Sequence, residues 1–433
     1  MNKATHLLNM RISGIKNIEK EIRIDFGGKN IDKNFKPEKY NIKCIYGENG
    51  SGKTAIITAV SIVHDFIFDS NYLRSSHNQK LLQELINKSS REFSFKCEFI
   101  TNYDEFLIYE YTVRISFDEN DEPFVSYESL GYKRNNSRNA QTIVFICENG
   151  EFLELDFDDS DRVKVEEKTR NLLIRQSALY LMFTILVKDG SIKAQKHMTY
   201  AMFFFVFISV YFDREDIHSD YIKNNMINEL MKRLPSDQLM EELLKTVPAN
   251  GKRVPIAEYV NYEKKVRQLE SLIRLFKPEL VKIDIEKIED KDYYMCELLF
   301  NYGTYRVNRE FESTGIKKLT ELFNALVKAS YGFTVFIDEM DSNINDVYLC
   351  KIIEYFMYYG KGQLCFTSHN VDPMSILKEN HKSIDFITRD NRIIPWVKNG
   401  HYTPENSYRN GMIEGMPYNI DASDFISIFE GGE

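Results

Sequence analysis

Eight consecutive residues carry the strongest chemical signal in this 433-residue sequence. They form a G-x-x-x-x-G-K-[ST] phosphate-binding loop that consists of Gly47, Glu48, Asn49, Gly50, Ser51, Gly52, Lys53 and Thr54. The glycines let the backbone curl so that its N–H groups point at a phosphate chain, and a helix start adds its positive dipole end. We expect Lys53 to reach the β- and γ-phosphates and the Thr54 hydroxyl to ligate Mg²⁺. The loop therefore predicts a nucleoside triphosphate site.

A second signal is a pair of adjacent carboxylates that follows the apolar, strand-like run 333–337. Asp338 is expected to hold the Mg²⁺ shell, and Glu339 to orient or deprotonate an attacking water. A strand that ends in Asp-Glu is commonplace by itself, and it gains meaning because the same chain carries a phosphate loop. Together the two motifs predict an enzyme that binds a nucleoside triphosphate with Mg²⁺ and hydrolyses it; the family resemblance given below implies that the nucleotide is ATP and the products ADP and phosphate.

Two weaker motifs take their meaning from that context. Residues 312–315 (E-S-T-G) precede a helical run, where Ser and Thr suit a plain helix N-cap as well as a phosphate contact. A helix N-terminus with a small hydroxyl and a glycine can also approach a γ-phosphate that is bound on another subunit. Residues 367–370 (T-S-H-N) follow another strand-like run, and His369 suits either a structural histidine or a γ-phosphate sensor.

The elements that must position these motifs follow from hydrophobic periodicity. Strand-like runs lie at 7–12, 22–26, 41–46, 92–155, 281–305, 333–337 and 363–367, with a last pair near 387 and 393. Helical spacing covers 53–68, segments of 161–277 (Tyr221 to Arg233 among them), 315–330 and 347–359. We predict an α/β fold in three parts: a first half of the head at 1–160, a helical insertion at 161–278 and a second half at 279–433.

Composition excludes several classes of protein. A hydrophobic content of 43% and a charged content of 28% are ordinary for globular chains and exclude global disorder. A net charge of −9 excludes a molecule-wide polycation, although a local basic stripe stays possible. The start of the chain lacks a signal-peptide core, the cysteines form no C-x-x-C pair, and the apolar run 201–212 is too short to span a bilayer. We expect a cytoplasmic protein without a membrane partner.

The order of these motifs resembles the heads of ABC-type ATPases, in the branch that contains RecF, SMC-like and OLD-type proteins. The resemblance is carried by the strand pair within 7–26, a shortened signature at 312–319, a D-loop at 341–343, the switch histidine at 369 and an ending at 408–417. It implies an ABC-type P-loop ATPase head with a β-sheet core, an antiparallel β lobe and a helical insertion. It also implies that Ser313, Gly315 and Asp341 bind nucleotide, and that Glu339 and His369 are catalytic.

The resemblance further implies a way of working. Such heads carry the phosphate loop and the signature on opposite faces, so two copies close head to tail around two ATP molecules and form at least a homodimer. Because few residues follow the switch histidine, we expect no TOPRIM domain of the OLD-type nucleases at that position. The chain therefore resembles the stand-alone ATPases of two-gene phage-defence systems, which control a TOPRIM, HNH or RloB-like effector supplied in trans.

Two other functions stay open at this point. A RecF-like DNA-repair clamp would bind duplex DNA directly, and a transporter ATPase would need a membrane partner. The signature lacks the second glycine and the glutamine of the transporter form. Candidate DNA contacts, which are equally ordinary solvated charges, are Lys133, Arg134, Arg138, Lys252, Arg253, Lys264, Lys265 and Arg267.

Some features depart from the family pattern or stay ambiguous. The D-loop continues with Ser342-Asn343-Ile344-Asn345 instead of the usual tail, and no Q-loop glutamine can be placed within 92–145. The Met- and Phe-rich stretch 198–212 suits buried core better than a partner surface.

Overall fold

The computed structural model describes residues 5–28, 31, 34–134, 141–212, 247–380, 382–398, 402–414 and 428. Within them the chain forms three sheets with flanking helices. The strands are β1 (Thr5–Ser13), β2 (Ile22–Asp25), β3 (Ile42–Gly47), β4 (Glu92–Asn102), β5 (Phe106–Phe117), β6 (Pro123–Arg134), β7 (Thr142–Glu148), β8 (Glu151–Leu155), β9 (Ile208–Tyr211), β10 (Arg253–Pro255), β11 (Lys282–Asp290), β12 (Tyr293–Asn301), β13 (Arg306–Asn308), β14 (Thr334–Ile337), β15 (Gln363–Thr367), β16 (Ile384–Ile387) and β17 (Ile393–Pro395). The helices are α1 (Lys53–Phe68), α2 (Ser76–Leu85), α3 (Asp159–Thr169), α4 (Ala178–Asp189), α5 (Ile192–Val206), α6 (Tyr259–Phe276), α7 (Thr314–Ser330), α8 (Asp346–Tyr359), α9 (Met374–Leu377) and α10 (Pro404–Arg409).

The core is a six-stranded sheet in the order β17-β16-β3-β15-β14-β9. Its five strands from β16 to β9 are parallel, and β17 closes one edge as an antiparallel strand. Every residue of β3, β14, β15 and β16 is buried, which explains their nearly continuous apolar sequences. Because parallel strands end at one edge, the segments that follow β3, β14 and β15 meet there.

A second sheet, antiparallel and seven-stranded, forms a lobe in the order β2-β1-β4-β5-β6-β7-β8. Burial alternates along β4, so one face of the lobe packs on apolar side chains. Helix α5 lies on that face, where the Phe204 ring stacks on Phe99 with centroids 3.9 Å apart and Phe205 meets Phe99 edge to face. This architecture confirms the predicted fold class, an α/β head with a β-sheet core and an antiparallel β lobe.

A third, smaller sheet is formed by four strands within residues 253–308. Its strands run in the order β10-β12-β11, with β13 paired to β12. Helix α6 packs beside this sheet through the buried side chains of Val266, Leu269 and Ile273. The chain then passes through β13 and a single 3₁₀ turn, Arg309–Phe311, into α7. This sheet therefore lies directly before the segment that carries the signature motif.

Strand β9 is the clearest difference from the sequence prediction. It lies inside the range predicted as a helical insertion, yet it pairs in parallel with β14 at the edge of the core sheet. A four-residue strand of sequence Ile-Ser-Val-Tyr, one residue after an apolar helix, cannot be recognised by periodicity alone. Residues 198–208 are buried, as expected of core, and no helix of the described residues is long and apolar enough to cross a membrane. The predicted helix at Tyr221–Arg233 lies outside the described residues, and the three-part division stays a prediction.

Two buried histidines, His6 and His197, make the stability of the fold depend on pH. His6 lies against the side-chain amide of Gln363, with 3.1 Å between the two Nε2 atoms. His197 stacks on the Tyr132 ring, with centroids 4.4 Å apart, and its Nδ1 lies 2.7 Å from the Tyr109 hydroxyl. Burial disfavours the charged imidazolium and lowers the pKa of each histidine from 6.5 to about 4.

We expect the free energy of unfolding to decrease as the pH falls from 6.5 towards 4. Between pH 6.5 and 4 the unfolded chain binds protons at His6 and His197 while the folded chain does not, so a lower pH favours unfolding. Above pH 6.5 both histidines are neutral in the folded and the unfolded chain, and the effect vanishes. Urea unfolding midpoints at a series of pH values measure this dependence. The double variant His6→Gln, His197→Gln should show a flatter profile, and an unchanged slope in that variant would contradict the assignment.

Candidate nucleotide-binding site

The phosphate loop adopts the curled backbone that its sequence predicts. Strand β3 ends at Gly47 and helix α1 begins at Lys53. Gly50 and Gly52 have φ angles of +78° and +112°, in the left-handed region that favours glycine. A Cβ on Gly47 would lie 2.6 Å from Ser51 Oγ, so that position also excludes a side chain. The helix N-terminus therefore faces a loop of backbone N–H groups, which is the arrangement that binds phosphate.

Lys53 is held over the loop by its own backbone. Its side chain is buried, and Nζ donates hydrogen bonds to the carbonyl oxygens of Gly47 at 2.7 Å and Glu48 at 2.9 Å. Burial lowers the pKa of Lys53, and the nearby charges of Asp338, Glu339 and Asp341 oppose that shift. Lys53 follows β3 and the carboxylates follow β14, so both lie at the same edge of the core sheet.

Three polar side chains from distant parts of the chain hold the phosphate loop in place. Asn17 donates to the carbonyl oxygen of Gly50, and Asn391 donates to that of Ser51, each at 2.9 Å. Arg389 forms an ion pair with Glu48. Sequence analysis did not identify these residues, because nothing in their own surroundings marks them as neighbours of the loop. Arg389 and Asn391 lie in the short polar turn between β16 and β17, which the sequence does show. That this turn lies beside the phosphate loop becomes apparent only from the sheet order.

The two adjacent carboxylates follow β14 at the same edge of the sheet. Asp338 is buried and Glu339 is half-buried. Glu339 has a φ angle of +48°, a left-handed conformation that is uncommon for a residue with a side chain and frequent at functional sites. Strand β15 lies between β3 and β14, so the phosphate loop and the carboxylates flank the segment that follows β15.

Asp341 connects the D-loop to the switch-histidine segment. Its Oδ2 accepts hydrogen bonds from the backbone N–H of His369 at 3.0 Å and of Asn370 at 2.9 Å. The His369 side chain is exposed at this edge. Asp341 therefore shapes the loop that presents His369, in addition to the nucleotide contact that the family resemblance implies.

The signature residues lie at the start of α7, beside the D-loop. Ser313 is the N-cap residue, and its Oγ accepts the backbone N–H of Ile316 at 3.5 Å. The buried Glu312 carboxylate accepts the Tyr302 hydroxyl at 2.6 Å and the Ser313 N–H at 3.1 Å, which fixes the entry to the helix. A Cβ on Gly315 would lie 2.9 Å from the Asn343 carbonyl oxygen, so glycine allows α7 and the D-loop to approach closely. Ser313 itself is exposed.

The residues at this edge fit an ATP molecule with Mg²⁺. The curled loop and the N-terminus of α1 offer backbone N–H groups, and Lys53 offers a positive charge for the phosphates. Magnesium bound to a nucleotide takes one or two protein oxygens beside the phosphate oxygens. Thr54, in the first turn of α1, and Asp338, after β14, carry suitable oxygens.

Four of the eight candidate DNA contacts form ion pairs with carboxylates of the same chain. Lys133 pairs with Glu98 at 3.0 Å, Arg134 with Glu105 at 3.3 Å, Lys252 with Glu310 at 2.6 Å and Arg267 with Glu270 at 2.5 Å. The Arg253 guanidinium lies 4.0 Å from the centroid of the Tyr293 ring. Arg138 lies outside the described residues. These four cations are therefore paired within the chain, and their role as DNA contacts stays a prediction.

No protein-family model matches the sequence, and no curated protein matches it. Among solved structures, the chain is similar to an SMC head bound to the C-terminal winged-helix domain of ScpA, at 14% identity and a TM-score of 0.43, covering 90% of this chain and 98% of that one. It is also similar to the SMC head domain from Thermotoga maritima, at 14% identity and a TM-score of 0.31, covering 91% and 100%. A third is the recombination mediator RecF with ATP, at 12% identity and a TM-score of 0.37, covering 91% and 98%. Identities of 12–14% and TM-scores of 0.31–0.43 do not identify the function of this chain.

Proposed function

We propose that this chain is an ATP-hydrolysing switch of the ABC type that closes head to tail with a second copy and controls a separate effector in anti-phage defence. The observation that carries the proposal is the shared edge of the core sheet. There a complete phosphate loop with its lysine lies near two adjacent carboxylates, and the D-loop carboxylate binds the backbone of the switch-histidine segment. Phosphoryl transfer from a nucleoside triphosphate uses this combination of a phosphate loop, a lysine and metal-binding carboxylates.

Each residue has a defined task in the proposed reaction. The loop Gly47–Thr54 binds the phosphates through backbone N–H groups, and Lys53 balances their charge. Thr54 and Asp338 would hold Mg²⁺, which would neutralise part of the negative charge on the phosphates. Glu339 orients the attacking water and accepts its proton, and His369 contacts the γ-phosphate.

Closure between two copies is supported by the position of the signature. Ser313 is exposed at the N-terminus of α7, a 17-residue helix whose dipole favours an anion there. Ser313 and Gly315 contact α7, Glu312 and the D-loop. The phosphate loop has different partners, which are Asn17, Asn391 and Arg389. A second copy can therefore bring its bound γ-phosphate to Ser313 and complete the site.

The switch is proposed to act on a separate effector protein. This part of the proposal is supported by the resemblance to stand-alone ATPases of two-gene defence systems, in which a TOPRIM, HNH or RloB-like protein acts in trans. In this scheme ATP binding orders the interface between two heads, hydrolysis releases it, and the effector responds to the difference between the two arrangements.

The Glu339→Gln variant is expected to form a stable dimer or larger assembly when ATP and Mg²⁺ are added. Glutamine preserves the size of the side chain but cannot accept the proton, so the ATP-bound arrangement accumulates. Light scattering coupled to size-exclusion chromatography measures the mass with and without nucleotide. Lys53→Ala in the same background is the matched control and should stay monomeric, because it removes the cation that binds the phosphates.

The other outcomes of this experiment separate the alternatives. Assembly that requires duplex DNA in addition to ATP would favour a DNA clamp over an effector switch. A variant that binds ATP yet stays monomeric under every condition would contradict head-to-tail closure and the assignment of Ser313.

A further inference from the structure

A single hydroxyl group contacts both carboxylate residues of the candidate site. Thr367 is the last residue of β15, in the strand between the phosphate-loop strand and β14, and it is completely buried. Its Oγ1 donates a hydrogen bond to Asp338 Oδ1 at 2.6 Å. The same oxygen accepts the backbone N–H of Glu339 at 2.8 Å. One side chain thus uses its donor on one carboxylate residue and a lone pair on the next.

Each of these hydrogen bonds restricts a group that the reaction needs. A bond to one oxygen of the Asp338 carboxylate fixes the rotation of that side chain and so the direction of its other oxygen. The bond to the Glu339 N–H holds a backbone whose φ angle of +48° is unfavourable for a residue with a side chain. Such strained conformations persist only where the surrounding structure over-determines them.

We propose that Thr367 is a positioning residue, which orients Asp338 towards Mg²⁺ and holds Glu339 in its reactive conformation through one hydroxyl group. This inference rests on the proposed function, because it assigns Thr367 to the same Mg²⁺-dependent hydrolysis. Hydrogen-bond partners behind metal ligands tune metal affinity and activity, with losses of roughly 10- to 100-fold when they are removed. Thr367 acts through its neighbours and does not itself contact nucleotide.

The test removes the hydroxyl and keeps the shape. Thr367→Val is isosteric, and it preserves the hydrogen bond from the Met340 N–H to the backbone carbonyl of residue 367, which is 3.1 Å long. We expect the gain in ATP affinity that Mg²⁺ provides, measured by calorimetry with Mg²⁺ and with EDTA, to shrink roughly 10-fold. The ATP affinity in EDTA should stay unchanged because the phosphate loop is intact, and kcat should fall roughly 10-fold or more.

Two further variants distinguish positioning from stability. Thr367→Ser restores the hydroxyl and should return the Mg²⁺ dependence to within about 3-fold of the wild type, the spread expected of context effects. Thr169→Val removes another fully buried hydroxyl, which donates to the Val165 carbonyl in α3, and should leave the Mg²⁺ dependence unchanged. Thermal unfolding of all variants reports on the fold.

The outcomes separate this inference from the proposed function. A wild-type protein that neither binds nor hydrolyses ATP would overturn the proposed function itself. An active wild type with an equally active, equally Mg²⁺-responsive Thr367→Val variant would overturn only the role of Thr367. Equal defects in Thr367→Val and Thr367→Ser, or in Thr367→Val and Thr169→Val, would likewise contradict positioning by this hydroxyl.

Discussion

ATP hydrolysis is expected to fall by roughly 100-fold or more when Glu339 is replaced with glutamine, because general-base catalysis contributes about 10²- to 10⁴-fold to rates of this kind. Glutamine keeps the volume of the side chain and adopts the same backbone conformation, so the effect isolates the carboxylate. Binding of ATP should persist, since the phosphate loop and Lys53 do not depend on the proton acceptor. Phosphate release at saturating ATP measures the rate, and calorimetry measures binding.

Glu354 provides the matched control for that substitution. It is a half-buried carboxylate in the middle of α8 that pairs with Lys351 at 2.7 Å, and Glu354→Gln removes the same charge at a residue outside the candidate site. Hydrolysis by this control should equal that of the wild type. A Glu339→Gln protein that retains a third or more of the wild-type rate would show that another group accepts the proton.

The local elements were predictable because their sequences carry a self-contained signal. The helix expected at 53–68 is α1, and the strand expected at 363–367 is β15, with the same ends. In both cases a turn or motif marks one end and the hydrophobic pattern marks the body. Strand β9 shows the limit, because its four residues are selected by pairing with β14 and not by their own pattern.

The site was predictable where motif residues are contiguous and unpredictable where contacts cross the chain. The phosphate loop and the Asp-Glu pair each consist of consecutive residues, so the sequence alone identifies them. Asn391 reaches the loop because β16 pairs with β3, and Asn17 reaches it from the segment that follows β1 in another sheet. Both contacts depend on the whole fold. Thr367 belonged to a recognised motif, but its role depends on the placement of β15 between β3 and β14. Sequence gives residue types, and the topology decides which of them meet.

Activity is expected to reappear when two inactive variants, Lys53→Ala and Ser313→Asp, are mixed. Each variant alone damages both sites of a symmetric head-to-tail pair, because every site takes its phosphate loop from one copy and its signature from the other. Aspartate is a good helix N-cap, so Ser313→Asp preserves α7 while it places a negative charge against the partner's γ-phosphate. We expect each variant alone to retain at most roughly a tenth of the wild-type rate, given the size of such charge effects.

In a mixed dimer the two defects fall together in one site and leave the other site intact. The intact site combines the phosphate loop of the Ser313→Asp copy with the unchanged Ser313 of the Lys53→Ala copy. Only the mixed dimer contains a site at which ATP can hold two copies together, and it has one working site of two. The mixture should therefore recover between about a quarter of the wild-type rate, for random pairing, and about half, for mixed dimers alone. Lys53→Ala mixed with the double variant Lys53→Ala, Ser313→Asp contains no intact site and should stay inactive. A 1:1 mixture that shows only the average of its two components would mean that each site is complete within one chain, and head-to-tail closure would have to be abandoned.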